Sequence, residues 1–282
     1  MDSRIGRGSS IWLLASFLCL AVTDAAIAKQ QAGRGEAQSA PRGAAPAPLP
    51  PLFFREEWKQ TGPFDASSGF VPERGITAAA VTNSNLELKL YDPAAKNVPA
   101  YLQSPPPGSI ARDWSGPSCI QLAGFNQNPR PVQVGAGQPT DPPNLWTGVC
   151  GTPVAATLRD KSNYVNLTGL AKIRWVTRTS GFHVVRPVVK LADGTWLVGD
   201  YGEGAASSNS ALFLESEFAI APIRWINLDI SRVVTRGTGV EKPDLSKVDE
   251  VGFVDLLPGS GHGWGGFVNV GRIEVYGTPV KR

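Results

Sequence analysis

The stretch "HVVRPVVKLADGTWLVGDY", His183 to Tyr201, decides the fold. Val185, Val189 and Leu191 stand two or four apart on one face while Arg186 and Lys190 take the other, and a period of two belongs to a half-buried strand. Asp193-Gly194 then interrupts the run. Asp-Gly between two apolar runs is a strong hairpin signal, because the glycine takes the positive φ that the turn needs. "TWLV" resumes on the far side, so the reading is two antiparallel strands joined by a tight bend.

The same signature recurs outward in both directions. Short apolar runs bounded by Gly, Pro, Asn and Asp appear in "PLFFREEWK", "NLELKLYD", "VAATLRD", "LAKIRWVTR", "LFLESEFAIA", "RWINLDISRV", "VDEVGFVDLL" and "FVNVGRIEVYG", and helical periodicity is hard to find. The expected class is all-β, one β-sandwich domain over residues 52–282. The segment from about 105 to 153 differs. Crowded with Pro, Gly and Asn and holding Cys119 and Cys150, it reads as a long excursion stapled by a disulfide.

That disulfide follows from the N-terminus. Arg4 and Arg7 precede the apolar run "IWLLASFLCLAV", Ile11 to Val22, and Ala26-Ile27-Ala28 follows, the pattern of a secretory signal cleaved after Ala28. The run is too short to span a bilayer, so no membrane insertion of the mature chain is expected, and the location is secreted or periplasmic. Cys19 leaves with the signal, and an exported chain with one remaining pair joins Cys119 to Cys150. Residues 29–51 are rich in Ala, Pro, Gly and Gln and read as a flexible linker. The signal carries two bases and two acids, so the formal net charge of +3 survives cleavage. With no basic run or basic helix, a nucleic-acid partner is excluded.

Alternation also sorts the side chains of other strands. Ile173 and Trp175 share a face against Lys172, Arg174 and Arg178. Leu212, Leu214 and Phe218 oppose Phe213, Glu215 and Glu217. Ile226, Leu228 and Ile230 oppose Trp225, Asn227 and Asp229. One face is therefore expected to be core and the other to mix bases, acids and aromatics. Such a face is either a solvated sheet whose charges pair across strands or a concave ligand surface. In the second case Trp196, Trp225 and Phe213 would stack on sugar rings, with Arg174, Arg186, Lys190, Glu215, Glu217 and Asn227 hydrogen-bonding hydroxyls.

The closing stretch adds a family likeness. Trp225 to Ile230, then "PDLSKVDEVGFVDLL" (Pro243 to Leu257), then a glycine-rich loop and "GRIEVYG" (Gly271 to Gly277) resemble the end of the galactose-binding-like jelly rolls. Those include several carbohydrate-binding modules and the domain of complex I intermediate-associated proteins. The resemblance covers roughly residues 164–277. It implies a jelly-roll β-sandwich that binds sugars on a concave face or through loops at one end, without catalysis. It further implies a structural calcium, for which Glu56 or Glu57 on the first strand and Glu274 on the last would be ligands. In the loop "GSGHGWGG", Gly259 to Gly266, the glycines serve the bend, whereas His262 and Trp264 are expected to contact ligand at the rim or, for Trp264, to cap the core.

The expected function is non-catalytic binding of a polysaccharide or glycan. The alternatives are a glycoside hydrolase working through Glu215 and Glu217, whose Cα atoms stand about 7 Å apart along a strand, or a polysaccharide lyase using His183 or His262 with Tyr201 and Arg186. A third is a periplasmic interaction or assembly domain with the charged sheet as its interface. Two histidines offer no zinc constellation, and no G-x-S-x-G elbow occurs.

Overall fold

The hairpin between His183 and Tyr201 is present. Strands β8 (Val184–Leu191) and β9 (Trp196–Gly199) run antiparallel, with Val189 opposite Leu197 and Lys190 opposite Trp196. Leu191 N donates to Thr195 O at 2.8 Å and Gly194 N to Leu191 O at 3.0 Å. Gly194 sits at φ 90°, where any Cβ would be strained, and Asp193 Oδ1 accepts Thr195 N at 2.8 Å, which fixes the bend. The structure, a computed structural model, describes residues 48–59, 78–93, 120–123, 141–148, 150, 152–181, 183–204, 212–256 and 267–282, all within the unit Pro48–Arg282. Cys119, His262 and Trp264 lie outside the described residues, as do residues 1–47.

Two antiparallel sheets pack face to face, the all-β sandwich expected. Among the described residues the first has six strands. Its order is β11 (Leu214–Ala219), β7 (Lys172–Ser180), β15 (Phe267–Tyr276), β4 (Asn144–Trp146) and β3 (Gln121–Ala123), with β1 (Leu52–Glu56) also on β15. The second has ten. Its main order is β13 (Val234–Val240), β12 (Trp225–Asp229), β9, β8, β14 (Val248–Asp255), β5 (Val154–Asp160) and β2 (Leu86–Tyr91). β10 (Glu203–Gly204) pairs with β8, β6 (Asn163–Asn166) with β14, and β16 (Thr278–Lys281) with β6. The main core lies between the sheets. Ile173, Trp175, Ile273 and Val275 from the first meet Leu158, Val189, Leu197 and Phe253 from the second, each such burial contributing about 1.5–3 kcal/mol.

Three expectations are corrected. The segment 105–153 is not a mere excursion, since its described parts supply β3 and β4 and bury Ile120, Leu145 and Trp146 in the core. β13, "VTRGTGV", was not expected, because its glycines and exposed polar residues hide the alternation. The faces of β12 are inverted. Trp225 belongs to the core between the sheets, whereas Ile226 and Leu228 join a second apolar cluster on the outer face of the ten-stranded sheet with Val188, Trp196, Val198 and Val254. Both faces of that sheet's central strands are apolar, so a period of two marks a strand there without marking its inside.

Candidate functional site

On the outer face of the six-stranded sheet, register alone sets opposite charges side by side. Glu217 lies opposite Arg174, Arg174 opposite Glu274, and Glu274 opposite Arg55, so a row of alternating sign crosses four strands. The side chains then pair within and between rows. Glu215 holds Arg174 and Arg272, and Glu217 takes Lys172 at 3.0 Å. Burial raises the Glu215 carboxyl, but the hydrogen bond from Arg174 and the charges of Arg272 and Arg174 outweigh that and hold it below its ordinary value. A carboxyl so held donates no proton near neutral pH, so Glu215 is a poor general acid. The geometry is that of a solvated sheet with paired charges, which contribute little to stability because solvent screens them.

The expected calcium ligands sit in the same network. Arg55 and Arg272 each lie against both Glu57 and Glu274, the Glu274 contacts at 3.5 Å, and Arg174 lies 3.8 Å from Glu274. Glu56 is fully buried and accepts hydrogen bonds from Trp58 N, Thr82 N, Thr82 Oγ1 and Asn83 N at 2.7–3.0 Å. These residues do not fit a divalent cation, which would have to displace guanidinium groups that already neutralise the carboxylates. Among the described residues no group of three or more His, Cys, Asp or Glu is arranged to hold a metal.

Arg186, Lys190 and Trp196 are elsewhere, on the outer face of the ten-stranded sheet. Trp196 meets Tyr91 edge-on at 4.8 Å between centroids, and Lys190 lies 5.7 Å over the Trp196 ring while bonding Glu250 at 3.0 Å. Glu250 also accepts Tyr91 Oη at 2.8 Å and Thr157 Oγ1 at 2.6 Å. Trp196 is 9% exposed, so its ring offers no stacking platform. The sugar site expected on a single concave face is thus divided. Arg174, Glu215 and Glu217 are on one side of the sandwich, Arg186, Lys190 and Trp196 on the other, and Trp225 is inside, with Asn227 exposed beside it on the same strand.

The catalytic alternatives find their residues equally dispersed. His183 is 2% exposed, its Nδ1 lying 2.8 Å from Asp255 Oδ2, and Thr147 Oγ1 donates to that same oxygen at 2.7 Å while accepting Val268 N at 3.0 Å. This buried cluster ties β14 and β15 to the residues after β4. Tyr201 stacks on Phe218 at 3.9 Å and donates to Glu203 at 2.5 Å, away from any exposed acid–base pair.

A depression of about 740 Å³ opens where the loops after β6, β11 and β13 meet, within the size range of small-ligand pockets. Its floor is apolar, from Leu167, Ile220, Ile223, Trp225, Val240 and Leu245. Its rim is polar, from Thr168, Arg224, Glu241 and Lys242. Asp200 holds Arg224 through backbone N at 2.9 Å and Nε at 2.8 Å, leaving the rest of an 88% exposed guanidinium side chain free to reach. Lys242 has φ 49° directly before Pro243, a costly backbone for a non-glycine residue that recurs at ligand sites. The Trp58 and Trp175 indoles donate to Val270 O at 2.9 Å and Glu203 at 3.2 Å. The Trp225 indole, at the pocket floor, has no such acceptor among the described residues.

Sequence reading placed Trp225 on an outward stacking face rather than at this floor, and it did not single out the rim. Arg224, Glu241 and Lys242 fall in turns where charge is ordinary, and only Glu241-Lys242-Pro243 between two strands hinted at a shaped loop.

No family model matches the chain, and no curated protein matches it. Among solved structures, the one described as "Structure of PfGH50B" aligns with TM-score 0.30 and 7% identity over 49% of this chain and 20% of that one.

Proposed function

We propose that the chain is an exported, non-catalytic carbohydrate-binding β-sandwich of the galactose-binding-like kind, and that it seats a glycan in the pocket at the loop end. The observation that carries this reading is the pocket itself, where an apolar floor for ring C–H groups is bordered by donors and an acceptor for hydroxyls. The charged face has its polar groups committed to one another, which speaks against it as the sugar surface and against Glu215 and Glu217 as a hydrolytic pair. The signal segment and a Cys119–Cys150 bridge belong to the same proposal. Burial of Cys150 fits the bridge, and thiol labelling of the denatured, non-reduced mature chain is expected to find no free cysteine.

Retention of the purified protein on immobilised polysaccharides, with reducing ends and unsaturated products assayed in the eluate, tests the function. A binder is retarded and releases neither. Release of either product would establish an enzyme, and passage of every matrix without delay would remove the carbohydrate reading.

A further inference from the structure

We propose that the pocket selects a neutral sugar residue over an acidic one. This rests on the reading of the pocket as a glycan site and adds the class of glycan. The charges at the rim balance: Arg224 has Asp200 as its counter-ion, and Glu241 and Lys242 add one charge of each sign. Arg224 Nε pairs with Asp200 at 2.8 Å, its backbone N adding a second hydrogen bond at 2.9 Å, and Glu241 and Lys242 stand side by side in the pocket lining. The four charges sum to zero, so the rim offers no net field to draw a uronate or a sulfate into an apolar hollow. An anion placed there would lose its hydration and face Glu241 and Asp200 as well as the two cations.

A neutral sugar meets the same groups differently. Glu241 accepts from a hydroxyl, Lys242 and Arg224 donate to hydroxyls, and neither partner must give up a counter-charge. The Trp225 indole N–H supplies a further donor at the floor, a group that discriminates strongly because leaving it unpaired in a bound state is costly. The floor of Leu167, Ile220, Ile223, Val240 and Leu245 presents aliphatic carbon rather than an open aromatic face, since Trp225 is 2% exposed. It therefore suits the edge of a terminal residue, with its ring C–H or C-methyl groups, better than the flat stacking of a long chain.

The test uses the full mature chain and calorimetric titration with matched oligosaccharides, galactose-terminated against galacturonate-terminated and glucose-terminated against glucuronate-terminated. The expected result is a preference of at least about tenfold for the neutral member of a pair, with an affinity that changes less than about twofold between low and high salt. Preference for the acidic member, with affinity falling as salt rises, would overturn the selectivity and leave the glycan site standing. Absence of binding to all four, repeated on a panel of neutral glycans, would overturn the glycan site and the selectivity together.

Discussion

Trp225 and Ile226 are neighbours on one strand with opposite environments, and stability measurements on the two will separate them. Trp225→Ala empties a fully packed position between the sheets and is expected to cost about 3–5 kcal/mol. Ile226→Ala trims a half-buried side chain on the outer cluster and is expected to cost about 1 kcal/mol. Trp225→Phe keeps most of the packing but loses the indole N–H, so it should weaken glycan binding more than it lowers the denaturant midpoint. Equal costs for the two alanine variants would contradict the placement of the strand. At this scale the sequence was legible only where one face is polar. Ile173 and Trp175 opposite Arg174 were read correctly, whereas "WINLD" has large apolar groups on both sides and gives no preferred inside. Glu56 was equally hidden. Nothing in "FREEW" distinguishes the buried Glu56, which holds the 82–83 backbone, from the exposed Glu57 one residue on.

Among the elements, β14 is closely packed against its neighbour β5. A Cβ on Gly252 would stand 2.0 Å from Ala156 O and 2.6 Å from Thr157 Cα of β5, both backbone atoms that cannot yield alone. Gly252→Ala should therefore separate the β14–β5 pair and cost at least about 3 kcal/mol, seen as loss of folded yield or a lowered melting temperature. Three residues earlier, the ladder shifts register between Val248 and Glu250, which places Asp249 among Arg159 at 3.0 Å, Lys190 at 3.4 Å and Arg282 at 2.5 Å. Burial raises the Asp249 carboxyl, but hydrogen bonds from Arg159 and Arg282 outweigh it and hold it below its ordinary 3.8. A carboxyl depressed in the folded state stabilises fully at neutral pH and loses that contribution as pH falls from the unfolded value through the folded one. Melting temperature should thus drop below about pH 4, and Asp249→Asn should lower it at pH 7 while flattening the drop. An unchanged acid slope in the variant would assign the effect to other carboxyls. Strands with long apolar runs were legible as strands. β3, β4 and β10 were not, being two or three residues long, and β16 lies beyond the run that ends at Gly277.

For the molecule as a whole, the sandwich followed from many strands agreeing, and it does not depend on which face of β12 is inside. The pocket did not follow, because three loops far apart in sequence leave no periodic trace, while the paired charges of a solvated face leave a conspicuous one. Those pairs are screened by solvent, so Glu215→Gln and Glu217→Gln together should leave the melting temperature close to that of the natural chain. The most direct measurement compares that double variant with Ala221→Trp on a polysaccharide affinity gel, each checked by its thermal melt. Ala221 is an exposed turn residue on the pocket, so an indole there fills the hollow without disturbing the core. The expected result is that Ala221→Trp melts like the natural chain and passes the gel unretarded, while the double glutamine variant is still retained. Retention of Ala221→Trp together with loss of the double variant would place the ligand on the charged face and contradict the pocket as the site.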